Sequence, residues 1–125
     1  MTAMTRWATG LLCSFALTGA WCGEPMPNMA QKEIGQLLAR IEASNCSFSR
    51  NGTWHAPADA RKHLQMKVDY MVKRNMLGSA EDFIAKAATA SSVSGEAYQI
   101  RCGAQEPMAS ATWLTAELKR IRSTS

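Results

Sequence analysis

Histidine is scarce in this chain: His55 and His63 are the only two among 125 residues. They stand too far apart to be a local ligand pair, and no C-x-x-C pair accompanies them. A zinc site assembled from Cys46, Cys102, His55 and His63 therefore has no spacing signature behind it, and no metal or cofactor is expected. The serines of Ser91–Gly95 lack a G-x-S-x-G context, so nothing there marks a serine nucleophile. Charge imbalance is slight and evenly spread. Fourteen basic against ten acidic residues give +4, too little to argue for nucleic acid. Charged residues make up only 19% and hydrophobic ones 46%, which excludes a disordered chain. The length allows one domain with a modest core.

The longest uncharged run, Trp7 to Gly23, is at the lower limit of what spans a bilayer and is interrupted by Thr9, Ser14, Thr18 and glycines. It reads as an export signal instead. Arg6 supplies a positive start, Trp7 to Thr18 the apolar stretch, and Thr18-Gly19-Ala20 the small residues before a cleavage site. Residues 1–22 are thus expected to be a cleaved signal peptide and residues 23–125 one small domain. No stable membrane anchor is expected after cleavage, and the destination is the periplasm. Two alternatives stay open at Cys22: lipid attachment, for which Gly19-Ala20-Trp21 is a poor context, and cleavage after Cys22 itself.

Cys13 leaves with the signal, and Cys46 and Cys102 remain. Two thiols in an exported domain of this size read most simply as one disulfide, worth about 4 kcal/mol on the loop-closure model. The rival, a reactive cysteine activated by His55, needs a lowered thiol pKa and an adjacent base.

Along the mature chain, Asn28 and Gln31 have the spacing of a capping box. Ile34, Leu37, Leu38 and Ile41 then fall on one stripe of a helix that ends at Ser44-Asn45. Cys46 to Arg50 alternates as a short strand, and Asn51-Gly52 is a strong two-residue turn signal. Trp54 and His55 are expected on the following loop. Pro57 opens a second helix running to about Arg74, with Ala60, Leu64, Val68 and Met71 inward. Ser79 caps a third helix, in which Phe83, Ile84 and Ala87 share a face. Tyr98, Ile100 and Cys102 alternate as a second strand, Gly103 to Met108 is a loop, and Ser110 opens a last helix carrying Leu114, Leu118 and Ile121. The expected fold is α+β: four helices and a small two-stranded antiparallel sheet joined by Cys46–Cys102.

Several of these segments carry a resemblance. Phe48-x-Arg50-Asn51-Gly52, His55 and Ala60-x-x-His63-Leu64-x-x-Lys67 resemble the YfeK-like family of small exported bacterial proteins. So do Ala80-Glu81-Asp82-Phe83-Ile84, Ser91-Ser92-x-Ser94-Gly95-x-x-Tyr98-x-Ile100-x-Cys102 and Trp113-Leu114. The likeness runs from about Glu33 to Arg122. It implies an exported, periplasmic domain and supplies no catalytic residue set. The chain departs from the family pattern at Ala56, where a serine would cap the second helix better.

Two function classes follow. The favoured one is a non-enzymatic binding module of the cell envelope, whose partner is an envelope protein or a small ligand. Its candidate binding residues are Arg50, Asn51, Trp54, His55, His63 and Lys67, facing the Ser91–Gly95 loop. The alternative is a small hydrolase or metal-binding enzyme using His55 and His63, supported by Asp59 or Glu81. Lys67 near His63 favours a neutral imidazole under either reading. Arg50, Arg61, Lys62 and Arg101 are a further candidate basic face, with Arg50 and Arg101 flanking an anion.

Overall fold

The computed structural model describes residues 25–124, and the signal peptide expected over residues 1–22 lies outside them. Helix α1 (Asn28–Ala43) buries Ile34, Leu37, Leu38 and Ile41 on the expected stripe. Its start differs from the expected capping box. Pro27 holds the capping position with φ −60° and ψ 151°, so Asn28 is already helical and caps nothing. Gln31 instead donates its side-chain amide to the Met26 carbonyl at 3.5 Å. At the other end Ser44 closes the helix, and Asn45 takes a left-handed turn (φ 57°) into β1 (Ser47–Arg50).

Asn51 and Gly52 both have positive φ, 52° and 79°, the geometry of a tight hairpin turn whose twist matches its strands. The turn leads into β2 (Thr53–His55), with Arg50 opposite Thr53 and Phe48 opposite His55. Trp54 and His55 are therefore strand residues, not loop residues. Helix α2 (Pro57–Val72) starts on Pro57 and buries Leu64, Val68 and Met71, with Ala60 half-buried. It stops short of Arg74 because residues 73–75 form a turn with Asn75 at φ 52°. Helix α3 (Ala80–Lys86) is capped as expected: the Ser79 hydroxyl oxygen accepts from the Asp82 amide at 3.1 Å. Strands β3 (Gln99–Arg101) and β4 (Met108–Ala109) precede α4 (Ser110–Ser123).

The sheet has four strands rather than two, all antiparallel, in the order β2-β1-β3-β4. The α+β class holds; the strand count is corrected. Strands of two and three residues are too short to show alternation in sequence, and β2 and β4 are of that kind. One face of the sheet carries Phe48 and Ile100, which are paired and buried, and the helices cover it. The Phe48 and Trp113 rings pack in a T shape, with centroids 6.2 Å apart, tying the sheet to α4. The opposite face carries Trp54 and Arg101, stacked cation on ring at 4.3 Å. Phe83, Leu37, Ile41, Leu77 and Leu114 fill the centre of the core. A buried carboxylate, Glu33, ties α1 to α4 by accepting two hydrogen bonds from Arg122 at 2.8 and 2.9 Å. Arg122 also reaches Glu81 of α3.

Cys46 and Cys102 are bonded, 56 positions apart in sequence, with Cα atoms 4.3 Å apart. They extend the β1–β3 register by one step beyond Ser47 opposite Arg101. Among the described residues no helix is long and apolar enough to cross a membrane. Reducing the bridge is expected to lower the unfolding free energy by about 2–4 kcal/mol, measured as a lower urea midpoint. An unchanged midpoint would contradict that role.

Candidate functional site

Stepping along β1 from the disulfide, Cys46, Phe48 and Arg50 alternate onto the core side of the sheet. Cys102, Ile100 and Tyr98 do the same on the neighbouring strand, so Arg50 and Tyr98 emerge side by side beneath α2. His55 shares this face because it pairs with Phe48. Helix α2 runs above them and contributes Asp59, His63 and Lys67.

Between these elements lies a cavity of about 80 Å³. Its apolar walls are Phe48, Ala60, Leu64, Ala88 and Leu114. Its polar lining includes Arg50, His55, Asp59, His63, Tyr98 and Ser110. The volume suits a few waters or a molecule of a few heavy atoms.

The hydrogen bonds at the mouth have one consistent assignment. A guanidinium can only donate, so Arg50 Nη1 donates to His63 Nδ1 at 2.5 Å. The imidazole is then neutral with its proton on Nε2, which donates to the Tyr98 hydroxyl oxygen at 3.2 Å. Lys67 Nζ donates to the same oxygen at 3.2 Å and to the Ala90 carbonyl at 3.2 Å. Its ammonium also sits over the Tyr98 ring, 5.0 Å from the centroid. Tyr98 thus accepts twice, and among the described residues nothing accepts its own O–H.

Electrostatics keep this cluster in the same state. Burial pushes the His63 pKa down, and Arg50, Lys67 and His55 push it further. Burial also lowers Lys67 and raises Tyr98, the latter against the pull of Arg50. Neither Arg50 nor Lys67 has an ion-pair partner among the described residues, whereas Arg40, Arg61, Arg120 and Arg122 all do. Deeper in, Ser110 is only 3% exposed, and its hydroxyl has no hydrogen-bond partner among the described residues.

The candidate residues separate accordingly. Arg50, His55 and His63 line the cavity, and Lys67 joins them through Tyr98 from a shallow groove on the other side, shared with Met66 and Tyr70. Trp54 points to the far face of the sheet with Arg101. The two arginines do not flank one site, because the register sets Arg101 opposite Ser47 and Arg50 turns to the other face. Arg61 is paired with Glu42. Asn51 accepts a hydrogen bond from the Ser94 hydroxyl at 2.5 Å, so the 91–95 loop does face the hairpin. Ser91 is a structural residue: its hydroxyl oxygen accepts from the Val93 and Ser94 amides. Both sulfurs that a zinc site would have used are in the disulfide. Among the described residues no three His, Cys, Asp or Glu side chains form a group able to hold a metal ion. Glu81 belongs to the Arg122 network and is not among the residues lining the cavity.

Sequence reasoning missed Tyr98 and Ser110. The first left a signal: a tyrosine on the core side of a strand must find partners for its hydroxyl. Ser110 left none, since a serine opening a helix is ordinarily read as a cap.

The depressed His63 pKa has a signed consequence. Its stabilising contribution is complete above the unfolded value of 6.5 and is lost as pH falls through the lower folded value. Glu33, whose pKa is lowered chiefly by its hydrogen bond to Arg122, acts in a separate window below 4.5. An NMR titration is expected to place the His63 midpoint below 6.5, and His63→Gln is expected to flatten the loss of thermal stability between neutral pH and the carboxylate range. A midpoint at or above 6.5 would show that burial and the neighbouring cations do not hold the imidazole neutral.

No solved structure gives a significant match to the chain. A protein of Salmonella typhimurium strain LT2, described as "Uncharacterized protein YfeK", is 37% identical over 62 residues, half of each chain. The chain thus spans about half the length of this curated relative. The model of a family described as "Family of unknown function (DUF5329)" matches residues 28–122, from the first residue of α1 nearly to the end of α4. The chain belongs to the DUF5329 family.

Proposed function

We propose that this chain is an exported, non-enzymatic binding domain of the bacterial cell envelope. It takes a small ligand in the cavity between the sheet and α2. The observation that carries the reading is the pair of partly buried cations, Arg50 and Lys67, set around Tyr98 with no carboxylate in ion-pair reach among the described residues. Partly buried positive charge is costly unless something offsets it, and a cavity mouth is where an exchangeable partner can do so. The export half of the reading is supported by the Arg6-led apolar leader and by the Cys46–Cys102 bridge, a covalent link that persists in oxidising compartments.

The hydrolase alternative needs a histidine with a free lone pair to take a proton. His63 has its lone pair on Nδ1 occupied by Arg50, and its Nε2 proton is directed at Tyr98.

Protein-observed NMR with a mixed library of acidic, basic and neutral fragments tests the binding reading. Saturable shifts are expected at Arg50, His63 and Tyr98, with the Trp54–Arg101 face unaffected. A library that leaves the cavity residues unmoved, or moves only the far face, would refute it.

A further inference from the structure

The buried hydroxyl of Ser110 narrows the ligand's chemistry. This inference rests on the binding reading above and adds to it. Ser110 is the first residue of α4, and its backbone N–H donates to the Tyr98 carbonyl at 2.9 Å. It therefore stands one strand beyond Tyr98, while Arg50 stands one strand before it, about 10 Å apart at their Cα atoms by ordinary strand spacing. Both line the same cavity. Around it, Arg50 and Tyr98 have N–H and O–H groups that no described acceptor takes up. α4 also brings its positive pole to Ser110, with no acidic residue in its first turn and no side-chain cap.

A phosphate is a poor fit. Its several charged oxygens each need donors, and the walls between the two ends are Phe48, Leu64, Ala88 and Leu114. An ammonium group is disfavoured by Arg50 and Lys67. Asp59, the one carboxylate among the described lining residues, is exposed to water. What remains is a compact molecule with a carboxylate at one end, a short apolar middle and an oxygen at the other.

We propose that the cavity binds a short-chain hydroxycarboxylate, its carboxylate on Arg50 and its hydroxyl on Ser110. The Arg50 guanidinium keeps four further N–H groups for the carboxylate after donating to His63. The ligand hydroxyl exchanges a hydrogen bond with Ser110 Oγ, removing the one orphaned buried side-chain atom among the described residues.

The test is calorimetric and NMR titration of the full chain with glycolate, 3-hydroxypropionate and 4-hydroxybutyrate. Acetate, propionate and butyrate serve as hydroxyl-free parents, and 4-aminobutyrate and 4-hydroxybutyramide as charge controls. At least one hydroxy acid is expected to bind saturably, about threefold to tenfold tighter than its parent, with the amide at least about tenfold weaker. Ser110→Ala is expected to keep a wild-type melting temperature or better and to bind hydroxy acid and parent equally. Arg50→Gln is expected to lose about tenfold for both acids. The inference is overturned if the hydroxy acid's advantage survives in Ser110→Ala, if the amide or 4-aminobutyrate binds as well as the hydroxy acid, or if no acid binds. Binding of neutral fragments in the cavity without any acid would overturn this inference alone; an inert cavity would overturn the binding reading with it.

Discussion

The bond between Cys46 and Cys102 fixes which residues of β1 and β3 lie opposite one another, and the site follows from that register. Counting from the bridge, every second residue on each strand turns inward: Phe48 and Arg50 on one, Ile100 and Tyr98 on the other. A slip of one residue would carry Arg50 to the solvent face and put Ser49 against the core. Hydrophobic pairing of Phe48 with Ile100 enforces the same register without covalent help, so the bridge and the core agree. The hairpin turn at Asn51-Gly52 then returns the chain so that His55 lands beside Phe48, on the cavity side.

What collects on that inner face is unusual in its polarity. Arg50, Lys67, the Nε2–H of His63 and the O–H of Tyr98 are all donors. A site meant only for structural stability would alternate donors with acceptors, as the Glu33–Arg122–Glu81 network does between α1, α3 and α4. Here the acceptors used are a tyrosine oxygen, an imidazole nitrogen and one backbone carbonyl, and among the described residues no anion pairs with either cation. Adding the unpartnered Ser110 hydroxyl, the cavity is short of acceptors on several sides. That deficit is the chemical basis for reading it as a ligand site, and it explains why the cluster holds His63 neutral.

Much of the fold is legible in the sequence because long apolar stripes dominate it. Ile34, Leu37, Leu38 and Ile41 define α1, Leu64, Val68 and Met71 define α2, and the capping serine at 79 defines α3. The Cys46–Cys102 pair is legible on the expectation of export, since two thiols in an oxidising compartment read most simply as one bridge. The extra strands are not legible, since Met108–Ala109 owes its extended form to pairing with β3 and not to its own preferences. The site is half legible. His63, Lys67 and Arg50 stand out as polar residues near a core stripe, but only the sheet register separates Arg50 from Arg101 and Trp54. Tyr98 and Ser110 take their roles entirely from tertiary neighbours.

The donor arrangement around His63 is the centre of this account, and its tautomer reports on it most directly. Long-range proton–nitrogen correlation spectra of the imidazole at neutral pH resolve which ring nitrogen carries the proton. The account predicts a neutral ring protonated at Nε2, with Nδ1 showing the shift of an unprotonated acceptor facing Arg50. A ring protonated at Nδ1, or one already cationic at neutral pH, would contradict it.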